Sequence, residues 1–163
     1  GGALTGTGLV PADIRNTIGI FKAYATRVGE GPFPSEIPKN ESVADYILKK
    51  GHEFGTTTGR ERRCGWFDLD SAYYSIMTNG FNKISIMKLD VLDGIKEIKV
   101  LNNIGNKIKY DTMPGWDQST VGIKHYSHLP ENAKKYLDYL EKELETKINI
   151  ISTGPERDQT ISD

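Results

Sequence analysis

One nearly continuous apolar run, KISIMKL at residues 83–89, constrains the fold of this chain more than any other stretch. A strand that is apolar on both faces has to be covered on both faces, which is typical of parallel sheets that lie between helices. Two further β-rich runs, at residues 17–25 and 147–151, are separated from it by helical patterns. The sequence therefore predicts an α/β fold with a mainly parallel, doubly wound sheet.

Capping residues and apolar stripes predict three helices between these strands. They run from Asn40 or Ser42 to Gly51, from Asp68 to Gly80, and from Pro130 to Leu144. Residues 95–110 predict a small β-ribbon that turns near Gly105 and Asn106. The Gly-rich opening and the polar tail after Arg157 predict loops, with one helical turn near Pro11.

Composition limits the partners of the chain. The 163 residues carry a net charge of −1, so no overall field favours nucleic acid or a membrane surface. No apolar run approaches the ~20 residues that a membrane-spanning helix needs. Cys64 is the only cysteine, which excludes an internal disulfide and is typical of a reducing compartment. We therefore expect one cytoplasmic domain with no nucleic acid and no membrane among its partners.

The most distinctive chemistry lies in the Thr/Arg loop, residues 56–63, which reads TTTGRERR. Hydroxyl, turn N–H and guanidinium groups donate many hydrogen bonds and accept few, so the natural partner of this loop is an anion. A solvated basic turn is the alternative interpretation. Apolar flanks (Phe54 before the loop, Trp66 and Phe67 after it) favour an anchored loop, with Glu53 and Phe54 positioning it.

Polar residues follow each predicted strand, at the end where ligands bind in parallel α/β sheets. Val28 and Gly29 follow the first strand, Lys88-Leu89-Asp90 closes the second, and Ser152-Thr153-Gly154 follows the third. A carboxylate such as Asp90 can accept hydrogen bonds from both the N1–H and the 2-amino group of guanine, which adenine lacks. Each group alone is also compatible with an exposed strand end or an ordinary turn.

The longer motifs resemble those of the adenylosuccinate synthetase family. Residues 22–34 (KAYATRVGEGPFP) resemble its KAYxTRVGxGPFPTE signature, and residues 55–66 resemble its GATTGRxRRxGW aspartate-binding loop. Residues 88–93 (KLDVLD) are similar to its guanine-reading strand, and residues 150–155 (IISTGP) to its C-terminal motif. Because these motifs follow one another in the family's order over nearly the whole chain, the chain is identified as a member of that family.

The resemblance implies a P-loop NTPase-like fold and an enzyme of purine biosynthesis. Enzymes of this family are GTP-dependent ligases that join IMP and L-aspartate to give adenylosuccinate, GDP and phosphate. GTP phosphorylates the 6-oxygen of IMP, and the aspartate amine then displaces that phosphate. The resemblance further implies a cytoplasmic homodimer that uses Mg²⁺.

Site residues are carried over from the family by position. The resemblance implies an aspartate-binding loop made of Thr56, Thr57, Thr58, Gly59, Arg60, Glu61 and Arg62. Arg60 would also bind IMP, with Val28 close by. GTP would contact Arg62, Lys88, Leu89, Asp90, Ser152, Thr153 and Gly154. Glu61 stands where relatives often have Arg or Pro, which lowers the local positive charge.

The chain opens Gly1-Gly2-Ala3 without an initiator Met, so all 163 residues are expected to form the C-terminal part of the enzyme. The family's phosphate loop, Mg²⁺ ligands, catalytic Asp and catalytic His fall outside it. We therefore expect no catalytic and no metal-binding residue here, and the chain alone is predicted to be inactive.

A non-catalytic guanine-nucleotide-binding module of the same fold stays open as an alternative. So does a nucleic-acid binder that uses Arg60, Arg62 and Arg63, which the net charge of −1 disfavours.

Overall fold

The computed structural model describes residues 1–103 and 108–162. Its strands are β1 Ile18–Lys22, β2 Ala25–Arg27, β3 Arg63–Gly65, β4 Phe67–Asp68, β5 Lys83–Met87, β6 Glu97–Leu101, β7 Tyr110–Pro114, β8 Ile148–Ser152 and β9 Thr160–Ser162. Its α-helices are α1 Gly2–Thr7, α2 Ser42–Lys50, α3 Leu69–Asn79 and α4 Glu131–Glu143. Short 3₁₀-helices cover Pro11–Asp13, Leu89–Leu92 and Tyr126–His128.

A four-stranded sheet in the order β1-β5-β8-β9 forms the frame of the molecule. The pairs β1–β5 and β5–β8 are parallel, with Lys22 opposite Met87 and Ile86 opposite Ile151. β5 lies in the middle, and its Ile84 and Ile86 side chains are completely buried, as expected for a strand covered on both faces. The α/β class and the mainly parallel sheet are therefore confirmed.

The first predicted strand is divided into two in the structure. β1 ends at Lys22, and residues 25–27 form β2, which pairs antiparallel with β3 in a separate sheet. The break falls at Ala23 and Tyr24, both of which are buried. The Ala23 carbonyl there accepts a hydrogen bond from the Tyr136 hydroxyl at 2.6 Å instead of extending the strand. β2 follows this break directly and pairs with β3, which begins at Arg63. The end of the Thr/Arg loop is thereby held close to the end of β1.

The long helices follow the capping signals in the sequence, with one shift. The Asp68 side chain accepts a backbone hydrogen bond at 3.0 Å and caps α3, as predicted. α4 begins directly after Pro130, also as predicted. Glu41 takes the N-cap position of α2, one residue from each of the two predicted candidates.

Both ends of the described chain are more regular than the sequence predicts. Residues 2–7 form α1, where glycine-rich composition predicts a loop, and the Thr5 and Thr7 hydroxyls donate to backbone carbonyls four residues earlier. Residues 160–162 form β9 along β8, so the prediction of a loose tail is wrong. Ile161 accounts for this difference because its side chain is buried in the core.

An antiparallel ribbon exists as the pair β6–β7, to which β4 adds a third strand. Its second strand, Tyr110–Pro114, begins where the predicted ribbon ends. Its predicted turn at Gly105 and Asn106 lies outside the described residues. The stretch after the ribbon is held by Asp93. That carboxylate accepts hydrogen bonds from Trp116 Nε1 at 2.7 Å and from the N–H and hydroxyl groups of Thr120 at 2.8 Å. Hydrogen bonds to the Asp93 carboxylate therefore fix the loop that contains Trp116 and Thr120, and no apolar periodicity in the sequence indicates them.

Cys64 is a packing residue of β3. Its side chain is buried, and burial raises the pKa of the thiol to about 11. The thiol is therefore protonated at neutral pH and is a poor nucleophile.

Candidate functional site

Two lysines at adjacent strand ends meet on one buried carboxylate. Lys22 ends β1 and Lys88 directly follows β5, so the parallel pairing of the strands puts both at the same end of the sheet. Their Nζ atoms lie 2.8 Å and 2.9 Å from Oε1 of Glu53. The Glu53 side chain has no exposed surface, so these lysines replace the water that a carboxylate would otherwise bind.

Two further side chains complete the Glu53 cluster, which we define as Lys22, Tyr24, Glu53, Arg62 and Lys88. The Tyr24 hydroxyl donates to Oε1 at 2.6 Å, and Arg62 Nη1 donates to Oε2 at 2.8 Å. Lys22 also donates to Oε2, at 2.9 Å. The carboxylate thus accepts five hydrogen bonds from four side chains.

The end of α2 sets the position of Glu53. Gly51 caps the helix, and His52 takes a left-handed conformation with φ of 48°, which turns the chain just before Glu53. A Cβ atom at position 51 would lie 2.4 Å from the Tyr24 hydroxyl and 2.8 Å from the carbonyl oxygen of Ile47. Glycine is therefore required at this position to let Tyr24 reach the carboxylate.

Electrostatics keep the Glu53 cluster charged. Burial acts to raise the pKa of Glu53, but hydrogen bonds from Lys22, Tyr24 and Lys88 outweigh it and lower the pKa from 4.5 to about 2. Burial lowers the pKa of Lys22, and the hydrogen bond to Glu53 opposes this effect. Three cations around one carboxylate leave two positive charges in excess, so the cluster attracts anions.

The Thr/Arg loop extends from this cluster into solvent. The Gly55 N–H donates to the Arg60 carbonyl at 2.8 Å, and the Gly59 N–H donates to the Gly55 carbonyl at 2.7 Å. Gly59 has φ of 65°, which favours glycine in this turn. The exposed residues of the loop are Thr56, Thr57, Thr58, Gly59, Arg60 and Glu61. Within the described part of the chain, the Arg60 guanidinium has no hydrogen-bond or ion-pair partner.

The three arginines of the loop differ in the donors that they leave free. Arg63 Nε donates to Glu36 at 2.7 Å, and Arg63 Nη1 donates to the Gly31 carbonyl at 2.9 Å, so this arginine is structural. Arg62 donates one N–H group to the Glu53 cluster. Arg60 is exposed. The anion-binding capacity predicted for the loop therefore resides in Arg60 and in part of Arg62.

Only one flank of the loop is anchored as predicted. Trp66 and Phe67 are buried, whereas Phe54 is partly exposed and pairs with Glu61 in an isolated β-bridge. The Glu61 side chain is 58% exposed, and its carboxylate lies 4.0 Å from Lys39 Nζ. Glu61 therefore faces solvent and does not neutralise the Glu53 cluster.

Asp90 lies in the 3₁₀-helix Leu89–Leu92, which is separated from β5 by Lys88 alone. Lys88 has φ of 62°, so the chain turns sharply at the end of the strand. Burial raises the pKa of the Asp90 carboxyl, and the nearby charge of Asp93 adds to this effect. The Leu89 side chain is completely buried, so only its backbone could face a ligand.

The residues predicted to contact GTP at the end of β8 are held by hydrogen bonds within the protein. The Ser152 hydroxyl donates to the Gly154 carbonyl at 2.9 Å, and the buried Thr153 hydroxyl donates to the Ile123 carbonyl at 2.9 Å. The Thr153 N–H donates to the Gln159 carbonyl at 3.0 Å. These side chains are therefore engaged within the protein.

Of the two residues predicted for IMP, Arg60 lines an open recess of about 380 Å³. The recess is also lined by Gly29, by the cations Lys39 and Arg63, and by the acids Glu30, Glu36 and Glu61. Val28, which precedes Gly29, is exposed after the end of β2. Arg60 and Gly29 thus line one recess, and Val28 is the residue before Gly29. Arg62 and Lys88 are joined through Glu53.

Sequence reasoning gave Glu53 only a part in positioning the loop and missed its buried charge. A partial signal was present, because Lys88 at a predicted strand end and Arg62 in the loop are cations that a nearby acid can compensate. Lys22 gave no such signal, since it lay inside the first predicted strand at residues 17–25. Glu53 lies between α2 and that loop. The partners themselves are 31, 9 and 35 residues away along the chain for Lys22, Arg62 and Lys88, and no periodic pattern indicates contacts over such distances.

In residues 1–103 and 108–162, no helix combines the length and the apolar character needed to cross a bilayer. Across the same ranges, no group of three or more His, Cys, Asp or Glu side chains is arranged to hold a metal ion.

The pKa of Glu53 predicts how stability depends on pH. Its folded-state pKa lies below the ordinary value of 4.5, so its contribution is present above that value and is lost as the pH falls towards 2. We expect the free energy of unfolding in urea to differ most between wild type and Glu53→Gln near pH 7, and the difference to shrink below pH 4.5. The exposed Glu41→Gln serves as the control. A difference between wild type and Glu53→Gln that stays constant from pH 7 to pH 2.5 would contradict this role.

Known proteins similar to this chain belong to one family. The family model described as adenylosuccinate synthetase matches residues 1–161. The adenylosuccinate synthetase of Thermodesulfovibrio yellowstonii is 49% identical over 179 residues, and that of Meyerozyma guilliermondii is 48% identical over 180 residues. Each match covers 99% of this chain and 42% of the relative, so the chain spans about two fifths of the length of these curated relatives.

A solved structure extends the likeness to three dimensions. The structure of fully ligated adenylosuccinate synthetase from Plasmodium falciparum matches with a TM-score of 0.89 at 35% identity, over 99% of this chain and 43% of that one. The family model, the curated relatives and the solved structure therefore agree on one assignment. This chain belongs to the adenylosuccinate synthetase family.

Proposed function

We propose that this chain provides the aspartate-binding loop and the guanine-reading site of a GTP-dependent ligase that joins IMP and L-aspartate to form adenylosuccinate. The main support for this proposal is the Glu53 cluster, which links the Thr/Arg loop to the segment after β5 that contains Asp90. The curated relatives are more than twice as long as this chain. We therefore propose that the chain is the C-terminal part of a longer protein, which we call the intact enzyme.

The proposed reaction has two displacements. The 6-oxygen of IMP attacks the γ-phosphorus of GTP and releases GDP, and the aspartate amine then attacks C6 of the base and expels the phosphate. This chain binds and orients the substrates. The Thr57 and Thr58 hydroxyls and the Arg60 guanidinium, all exposed, donate to the aspartate carboxylates. Arg60 also reaches the IMP ribose beside Val28, and Arg62 directs its free N–H groups to the boundary between aspartate and GTP.

Asp90 selects guanine in this proposal. Its ionised carboxylate accepts hydrogen bonds from the N1–H and the 2-amino group of the base, and the Lys88 stem lies along the base face. The half-buried position of Asp90 supports this role, because charge-assisted hydrogen bonds are stronger where water is scarce. The backbone of Leu89 and of residues 152–154 forms the rim of the base site.

The remaining groups of the reaction come from the rest of the intact enzyme. Bound Mg²⁺ would neutralise phosphate charge on GTP. Among the described residues, no group of three or more His, Cys, Asp or Glu side chains is arranged to hold a metal ion. We propose that the metal ligands, the phosphate loop and the catalytic acid and base lie outside this chain. We also propose a cytoplasmic homodimer, and a chain with the single cysteine Cys64 is typical of a reducing compartment.

The proposed function is tested by phosphate release in the presence of IMP, GTP and L-aspartate. We expect the intact enzyme to form adenylosuccinate and phosphate in equal amounts, and the 163-residue chain alone to form neither. Binding of guanine nucleotide by the intact enzyme without any turnover would instead favour a non-catalytic binding module. Turnover by the chain alone would overturn the assignment of the catalytic groups to the rest of the enzyme.

Substitution of Asp90 tests the guanine site. Asp90→Asn replaces one acceptor oxygen by an NH₂ group that faces the donors of guanine. We expect GTP to bind ten- to a hundredfold more weakly, which corresponds to the loss of about 1.5–3 kcal/mol for a charge-assisted pair. Isothermal titration calorimetry measures this change, with the exposed Asp45→Asn on α2 as the control. An unchanged preference for GTP over ATP would remove Asp90 from the site.

Substitution of Arg60 tests the aspartate site. Arg60→Leu removes a guanidinium that an aliphatic chain cannot replace in binding a carboxylate. We expect the KM for aspartate to rise about tenfold or more, measured by steady-state kinetics of the intact enzyme. Arg15→Leu changes another exposed arginine and should leave this KM unaltered. Equal aspartate kinetics in Arg60→Leu and wild type would contradict the assignment.

A further inference from the structure

The Glu53 cluster contains more positive charge than a structural ion pair needs. Its three cations come from separate segments: the end of β1, the residue after β5 and the Thr/Arg loop. One cation would neutralise the buried carboxylate. The other two are held close together against their mutual repulsion. This excess points to a role beyond stability.

Two of the three cations keep donors for a ligand. Lys88 Nζ makes two hydrogen bonds within the protein, which leaves one N–H group. Arg62 uses Nη1 for Glu53, and its Nη2 makes no hydrogen bond among the described residues. Its Nε is buried without a partner, so the Nη groups are the ones that can face a ligand. The side chains of Lys88 and Arg62 are 37% and 31% exposed, so solvent reaches both. Lys22, by contrast, donates to both carboxylate oxygens and to the Thr26 hydroxyl.

We propose that Glu53 is a positioning residue that sets Arg62 for aspartate and Lys88 for GTP at the same time. This inference rests on the function proposed above. Glu53 holds Lys88 through Oε1 and Arg62 through Oε2, and Lys22 bridges the two oxygens. One buried carboxylate thereby fixes the distance between Arg62, which we propose contacts aspartate, and Lys88, which we propose contacts GTP.

Loss of the negative charge would release both cations together. Without it, Lys22, Arg62 and Lys88 would repel one another across a few ångströms, and the two partly exposed side chains would turn to solvent. In the described part of the chain, no hydrogen bond or ion pair joins Arg60 or Val28 to Glu53. IMP binding should therefore be spared, which separates this role from general loss of structure.

The experiment compares KM values in the intact enzyme. We expect Glu53→Gln to raise the KM for GTP and the KM for aspartate at least tenfold each, while the KM for IMP stays within threefold of wild type. The matched control is Asp111→Asn in the ribbon, because Asp111 also accepts several hydrogen bonds, from Asn102 at 2.8 Å, Tyr139 at 2.6 Å and Lys109 at 2.9 Å. This control should lower the melting temperature but leave all three KM values unchanged.

Two further variants keep the proposal falsifiable if Glu53→Gln fails to fold. Lys22→Met removes the cation that bridges both oxygens, and should raise the KM values for GTP and aspartate severalfold without affecting IMP. Glu53→Asp keeps the charge and should recover part of the loss seen in Glu53→Gln. KM values for GTP and aspartate within threefold of wild type in Lys22→Met or in folded Glu53→Gln would overturn the proposal. A parallel rise of all three KM values would do the same.

The outcome also separates this inference from the function on which it rests. Adenylosuccinate formation by the wild-type intact enzyme is measured first, and its absence would overturn the proposed function. Calorimetric titration with GTP would still test the positioning of Lys88 in that case. Equal GTP affinities of wild type and Glu53→Gln would overturn the role of Glu53 on their own.

Discussion

The buried negative charge of Glu53 is the interaction on which the rest of the site depends. Removing a carboxylate from water costs several kcal/mol, which only good hydrogen bonds and opposite charges can offset. Here the donors are Lys22, Tyr24, Arg62 and Lys88. Because these donors belong to β1, to the segment after it, to the Thr/Arg loop and to the end of β5, all four must be in place before Glu53 can be buried. Burial of Glu53 therefore joins four separate segments of the chain at the site.

The sequence indicated the main sheet and the long helices because their signals are local. The double-sided apolar run predicted β5, and Asp68 predicted the start of α3. The division of the first strand and the formation of β9 depend on contacts that are distant along the chain, such as Ala23 with Tyr136. The same holds for the site. The motifs indicated the donors Arg62 and Lys88, whereas the donors Lys22 and Tyr24 and the shared acceptor Glu53 became evident only from contacts between distant segments.

The neighbouring arginines of the Thr/Arg loop have different roles because their guanidinium groups have different partners. Arg63 gives its hydrogen bonds to Glu36 and to a backbone carbonyl, Arg62 divides its donors between protein and solvent, and Arg60 is exposed. Their sequence context differs little, so a count of basic residues overstates what the loop can offer to a ligand. The partner of each guanidinium decides whether it binds substrate or supports the loop.

The buried thiol of β3 has a practical consequence for following the loop in solution. Cys64 is the single cysteine of the chain, and with a pKa of about 11 it is almost entirely un-ionised at neutral pH. Maleimide and iodoacetamide reagents react with thiolates. A cysteine introduced at the solvent-facing position of Glu61 would therefore be the preferred attachment point within the chain for a fluorescent or spin label. Movement of the loop could then be recorded without first replacing Cys64.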